Sequence, residues 1–460
     1  MPDITVYKGP VGPLRHRCPL CPSPSGVSLL RCAGCRAFNY CSREHQVAHR
    51  PQHKSACNKI KKVRAKLEQE EHKVRNATED FMTPANAFET HVGHFWGLIH
   101  TRDYMRTRFG LAQELLWLGS LESVTEGLEH MRDMLRLCRG DNMGIRNMIP
   151  ATMLRLDLDQ ECYDFIKWWE TSGTSSTYDW GDTTLPYLDI HGADAFEDPK
   201  FILREFADLN FAVAITILKL KLLIDIRNLK ITRKILARRR LPAELRDQIE
   251  KEVLRSPLSA KFQKESHASL IETEIKLLGH CIKIGAVITT RNEHFMFNIF
   301  HPDEALLDEP RPYSPGSWEE MALAMRYSYA ALWETEGVLD LLNDSRACAA
   351  RDSESEIDDW MKNEKARKGR TAAEFMADLS VNRIWGYLEY ALDNASYLGP
   401  WSERPSERYT KQNRESWAAD MAEEDESDSD DAEYDLDFNA VTAMMDTPRT
   451  RGFRGSSTRF

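Results

Sequence analysis

Between Cys18 and Cys57 the chain sets out eight sulfur and imidazole donors in four pairs: Cys18-Pro-Leu-Cys21, Cys32-Ala-Gly-Cys35, Cys41-Ser-Arg-Glu-His45 and His53-Lys-Ser-Ala-Cys57. The segment around them, residues 13–58, is rich in turn formers (Pro13, Pro19, Pro22, Pro24, Gly26) and poor in large apolar side chains. A unit of that size cannot fold on such a core alone. Two cysteines with two residues between them sit on a tight turn that brings both sulfurs to one tetrahedral ion, at a zinc–sulfur distance of about 2.3 Å. Donors four apart on a helix share one face, a turn apart. Eight donors make two four-coordinate sites, both closed to water and substrate, so the expected zinc ions are structural and their binding is coupled to thiol deprotonation and folding. Spacing leaves the pairing open. A sequential scheme joins the two CxxC pairs on one ion, whereas an interleaved scheme joins pairs one and three, and two and four. His49, four residues from both His45 and His53, is a further donor that spacing leaves open.

Cysteine usage supports metal over disulfides. Six of the ten cysteines lie in the first 57 residues, while Cys138, Cys162, Cys281 and Cys348 are scattered singly. The N-terminus, MPDITVYKGPVGPLRHRCPLC, lacks the apolar stretch of a secretory signal. The most apolar run, Phe211 to Ile224, is broken by Lys219 and Lys221 and falls short of the roughly 20 residues a membrane span needs. These features predict an intracellular protein of the nucleus or cytoplasm with no membrane partner, where thiols stay reduced and clustered cysteines imply metal.

The order CxxC, CxxC, Tyr40-Cys41-Ser42-x-x-His45-Gln46, His53-Lys54-x-x-Cys57 resembles the MYND-type zinc finger, a cross-braced module with two structural zinc ions. The resemblance implies that Cys18, Cys21, Cys41 and His45 hold the first ion and Cys32, Cys35, His53 and Cys57 the second. It covers residues 18–57, less than a tenth of the chain. It also implies protein partners. Two positions depart from the family: His45 stands where most members have Cys, which zinc accepts equally, and Arg50 stands where most have Trp. In the family that Trp, with the Gln after the sixth ligand, helps to form a groove for proline-containing peptides, so Arg50 weakens the expectation of such partners.

Residues 59–83 are rich in helix formers, charged on most faces and free of Gly; up to Asp80 they also lack Pro, and they read as an exposed connecting helix. From 84 to 400 apolar residues recur at three and four, which predicts an all-α body with no long alternating stretch. Within it Leu115–Met131 and Met153–Trp169 align at an offset of 38, as two helical hairpins of one design would. That period is close to a tetratricopeptide (TPR-like) repeat, and an irregular helical domain is the other reading. Phe201–Arg240 reads as the central core helix with a basic end at Arg238, Arg239 and Arg240, which suits either the helix dipole or nuclear import. Asp141 reads as a helix cap. Residues 401–460 are poor in aliphatics and predict a disordered tail. It is acidic first, with eleven Asp or Glu from Asp420 to Asp437, and then carries Arg449, Arg451, Arg454 and Arg459.

Net charge is −11 and uneven, the tail being acidic and the finger basic. Standard catalytic signatures are missing: no GxxxxGK[ST], HExxH, GxSxG or GxGxxG in a strand–helix setting, and none of the segments of a SET methyltransferase, whose β-rich fold also disagrees with a helical body. His91, His94 and His100 read as polar positions of a helix around Phe95, Trp96 and Leu98. Cys162 reads as a core residue, and Trp168 and Trp169 as the end of an apolar helix. The expectation is a non-enzymatic zinc-binding adaptor, of the kind that serves transcriptional or developmental regulation. The alternatives are a nucleic-acid-associated regulator using the basic finger and the Arg-containing terminus, and an enzyme with an unrecognised site in the body.

Overall fold

The computed structural model describes residues 14–21, 28–80, 82–204, 206–308, 311–363 and 369–394. The tail of residues 401–460 lies outside the described residues, so the expectation made for it has no counterpart here. Among the described residues the one sheet is a short antiparallel pair, β1 (Leu30–Arg31) and β2 (Asn39–Tyr40), with Leu30 opposite Tyr40. The other regular elements are all helices, joined by turns and irregular stretches.

The long helix α1 (Arg43–Arg75) links finger and body. Ser42 starts it: the backbone is extended there, the hydroxyl accepts the amide of His45, and Glu44 suits the positive end of the dipole. Pro51 lies inside and leaves the Val47 carbonyl without its helical donor. Residues 59–83, expected as an exposed connector, are instead the second half of α1 as far as Arg75, followed by a short irregular stretch. The charge on most faces hides a narrow seam of Ile60, Val63, Leu67 and Val74, spaced three, four and seven apart. Ile60, Val63 and Val74 are buried, and the seam's finger-side half packs on Leu111 and Leu115 of α2 (Arg102–Leu118).

Two hairpins follow. Helix α2 turns into α3 (Leu121–Leu137) at Gly119, and α4 (Ile149–Arg155) turns into α5 (Asp159–Glu170) at Asp157. These two residues are superposed by the offset of 38, and both are left-handed, with φ of 71° and 55°. Glycine adopts that backbone freely and aspartate tolerates it. The repetition stops there, because the described residues between 171 and 208 form turns and no third hairpin. Asp141 caps as expected: its carboxylate accepts the amides of Ile145 (2.9 Å) and Arg146 (3.0 Å).

Helix α6 (Leu209–Leu236) is the core of the body, shorter at its start than the 201–240 run predicts because Asp208 caps it through the Asn210 amide. It packs antiparallel on α7 (His267–Arg291), with Lys219 meeting His280 and Lys230 meeting Glu274. Arg238, Arg239 and Arg240 are exposed beyond its end. The lysines that interrupt its apolar run are themselves buried. Lys219 donates to the carbonyls of Ala195 (2.6 Å) and Glu197 (3.0 Å), and Lys221 pairs with Asp157 (2.6 Å) and Asp159 (2.9 Å). Helix α8 (Trp318–Glu334) packs on α4 and α6, and Glu334 takes a bidentate hydrogen bond from the buried Arg155 (2.8 and 3.0 Å). Helices α9 (Val338–Asp352), α10 (Ala372–Arg383) and α11 (Leu388–Asn394) follow toward the end of the described residues, and shorter helices, among them Ala243–Val253 and Glu354–Lys362, fill the intervals. One apolar cluster runs from Val74 to Leu392, and a second joins the finger to α1 and α2, with Leu67 bordering both. No helix of the described residues is long and apolar enough to cross a membrane.

Candidate metal centre

The eight donors reach their places through short elements. The turn Cys18–Cys21 is closed by the Cys21 amide on the Cys18 carbonyl (3.1 Å). Cys32 follows β1 and Cys41 follows β2, and between them the Cys32 amide bonds the Phe38 carbonyl (2.8 Å) while the Ala37 amide donates to the Cys35 sulfur (3.4 Å). Helix α1 supplies His45, His53 and Cys57. The donors then fall into two groups, Cys18, Cys21, Cys41 and His45, and Cys32, Cys35, His53 and Cys57, with the ligand atoms of each group all within 4.8 Å of one another. The pairing is interleaved, so the strands and the helix are braced crosswise.

The separations test whether zinc fits. A tetrahedron's edge is about 1.63 times its centre-to-corner distance, so zinc–sulfur bonds of about 2.3 Å and zinc–nitrogen bonds of about 2.0 Å call for sulfur–sulfur edges of about 3.8 Å and sulfur–nitrogen edges of about 3.5 Å. In the first group Cys21 and Cys41 sulfurs are 3.5 Å apart, and His45 Nδ1 lies 3.6, 3.5 and 3.1 Å from Cys18, Cys21 and Cys41. In the second, Cys32 and Cys57 sulfurs are 3.8 Å apart and His53 Nε2 is 3.3 Å from Cys35. Both donor sets fit a tetrahedral zinc ion with four protein ligands, through different ring nitrogens of the two histidines.

The electrostatics of the bare donors favour a cation. Burial, together with the nearby Cys32 and Cys57, pushes the Cys35 thiol up to about 12 against the Ala37 amide. Burial opposes ionisation of Cys18 too, but hydrogen bonding to the Cys41 and Leu20 backbones outweighs it and brings that thiol down to about 7. Crowded sulfurs cannot all ionise without a counter-charge, and a divalent ion supplies it. Burial holds His53 down to about 4, the neutral form that a ligand needs. His49 is not part of either group: its Nδ1 lies 2.9 Å from the Tyr40 hydroxyl and its ring stacks on His53 at 5.5 Å. Burial raises the Tyr40 hydroxyl, which stays protonated and shares a hydrogen bond with His49.

Several residues that the sequence did not single out seat the finger on the body. Arg64 of α1 donates to the Cys35 carbonyl (2.9 Å) and to Glu126 of α3 (2.8 Å). Burial alone would raise Glu126; the hydrogen bond from Arg64, with the His130 imidazole 3.7 Å away, outweighs it and holds the carboxyl down to about 2. The Ser120 hydroxyl donates to the Ala37 carbonyl, Asn39 donates to Glu122, and Lys59 pairs with Glu114 (2.9 Å). The α2–α3 hairpin is thus the finger's seat. Isolated polar residues on separate elements carry no spacing signal, and only the shared register of two helices brings them together.

The other sequence candidates stay apart from metal. His91, His94 and His100 join no donor cluster among the described residues, and they lie in short turns around the buried Phe95 rather than on one long helix. Cys162 is fully buried, and burial raises its thiol well above the usual range. Trp168 and Trp169 are core residues packed with Tyr178, Trp180 and Tyr187.

No curated protein and no solved structure matches this chain. The family model of the MYND finger matches residues 18–57, the span from the first zinc donor to the last. The N-terminal unit is therefore a MYND finger that holds two zinc ions crosswise, on a mostly helical body.

Proposed function

We propose that this chain is a non-enzymatic adaptor whose MYND finger, a domain that commonly mediates protein–protein interaction, presents a partner-binding face on a rigid helical support. The observation that carries the reading is the closure of both donor sets, since four protein ligands per ion leave no position for substrate. The finger also keeps Leu30 (70% exposed) and Val47 (58%) in water. Proline-containing peptides are the less favoured partner class: Arg50 is exposed on α1, and Arg43 donates to the Gln46 side chain. In the body, a charged cleft of about 260 Å³ is lined by Arg155, Lys221, Asp225, Arg255 and Glu334, and its buried groups already have partners: Arg155 pairs with Glu334, Lys221 with Asp159, and Asp225 accepts the amides of Arg255 and Ser256.

Exposed Arg31, Arg36, Arg43 and Arg50 favour a second reading, attraction to nucleic-acid phosphates. The full-length protein and its Cys35→Ser variant, used as baits with and without chelator, separate the two. Protein partners held by the zinc-loaded chain and lost from the variant support the adaptor. Salt-labile retention of DNA or RNA with no protein partner overturns it in favour of the second reading.

A further inference from the structure

Helix α7 has two apolar faces. One, with Leu270, Leu277, Cys281, Ile284 and Ile288, is buried in the core. The other carries Ile271, Ile275 and Ile282, which are 39%, 65% and 37% exposed. At 100° per residue, positions four and eleven apart fall within roughly 40° of one another, so these isoleucines form one stripe, about 16 Å long at 1.5 Å per residue. Single exposed apolar residues need no explanation, whereas an aligned stripe of β-branched side chains along a helix marks a surface that something covers.

The route of the chain says what. Trp385 lies against α7 at Gly285, where a Cβ would come within 2.1 Å of the indole. From there α11 packs along α7 toward its N-terminal half. Asp393, near its end, shares the guanidinium of Arg227 with Glu274 of α7, at 3.2 and 3.6 Å. The described body therefore ends beside Glu274, the neighbour of Ile275 and one turn from Ile271. The next residues read Ala395-Ser-Tyr397-Leu398-Gly-Pro-Trp401, the last apolar cluster before the polar tail. Seven residues at up to about 3.5 Å each reach roughly 24 Å, longer than the stripe, and Gly399-Pro400 supplies a turn back along the helix.

We propose that residues 395–401 dock on the outer face of α7, with Tyr397 and Leu398 on Ile271 and Ile275 and Trp401 toward Ile282. Tethering at Asn394 gives this segment an effective concentration on the order of millimolar at the stripe, ahead of a second copy or a free partner.

A photoreactive benzophenone side chain placed at position 275 of the full-length protein tests this, because that residue is exposed and its replacement leaves the core intact. Irradiation is expected to yield an intramolecular cross-link to the peptide containing residues 395–401, identified by mass spectrometry. In the same protein carrying Tyr397→Ser, Leu398→Ser and Trp401→Ser, that cross-link should fall by about tenfold or more. A cross-link to residues 433–445, to a second copy of the chain, or to no peptide overturns the proposal, as does a cross-link that survives the triple substitution.

Discussion

Cys35 and His53 are buried while Cys21 and His45 are half-buried, so the second zinc site is the deeper of the two. Replacing Cys35 by Ser removes a thiolate from a place where nothing else can complete the tetrahedron, and zinc content measured on purified protein should fall from two per chain to one or fewer. His49→Gln should keep both ions, because His49 pairs with Tyr40 rather than with metal. A His49→Gln chain with a single zinc would place that ring among the ligands instead. In the body, His280 is buried with its Nδ1 3.4 Å from the Lys219 ammonium; burial, then that ammonium, lowers it from 6.5 to about 4. The unfolded chain takes up a proton below pH 6.5 that the folded chain refuses until about pH 4, so the stability this histidine contributes is whole above pH 6.5 and is lost as pH falls through that window. At pH 5 the loss is about 2 kcal/mol at most. Urea denaturation of wild type and His280→Asn at pH 7.5 and pH 5 should show the smaller acid loss in the variant, and equal losses would mean that His280 titrates normally.

Helix α7 shows at the scale of one element how close approach decides the cost of a methyl group. At Gly285 a Cβ would overlap the Trp385 indole, whereas at Gly279 it would meet nothing within 4 Å. Gly285→Ala should therefore displace Trp385 and cost about 1–3 kcal/mol or more, while Gly279→Ala should be neutral or stabilise by up to about 1 kcal/mol through helix propensity. Denaturation midpoints of the two variants check this, and similar midpoints would show that Trp385 yields without cost. Much at this scale was readable beforehand. The offset of 38 found both hairpins and superposed their left-handed turn residues, Gly119 and Asp157. Ligand spacing marked the donors, although their interleaving came from the family resemblance and not from spacing. What escaped has a physical reason in each case. The seam of α1 is two residues per turn pair within a run of charges, so the helix looked solvated. Nor did the sequence carry α1 through Pro51, where one missing amide on an exposed turn is tolerable because zinc fixes His45 on one side and His53 on the other. Lys219 and Lys221 looked like interruptions because their partners, two loop carbonyls and two aspartates, come from segments 20 to 65 residues away.

In the whole molecule, finger and body are not beads on a string, because α1 belongs to both. Its first half, Arg43–Cys57, holds three zinc donors, contains Pro51 and faces water over most of its surface. A segment of that length is a marginal helix by itself, so metal and not packing keeps it ordered. Its second half is held by Ile60 and Val63 against Leu111 and Leu115, and by Arg64 against Glu126. Stripping zinc with a chelator should therefore erase amide-exchange protection through residues 28–57 and stop inside α1, between Cys57 and Val63, with Val63–Arg75 and the α2–α3 hairpin still protected. The body should weaken without unfolding, because the cluster that joins the finger to Leu111 and Leu115 is partly uncovered while the larger cluster from Val74 to Leu392 is untouched. Exchange measured by mass spectrometry on the full chain, with and without chelator, reads this boundary directly. Protection retained throughout residues 28–57 without metal would show that the finger folds on its seat alone, and protection lost through α2 and α3 would make zinc the keystone of the body as well.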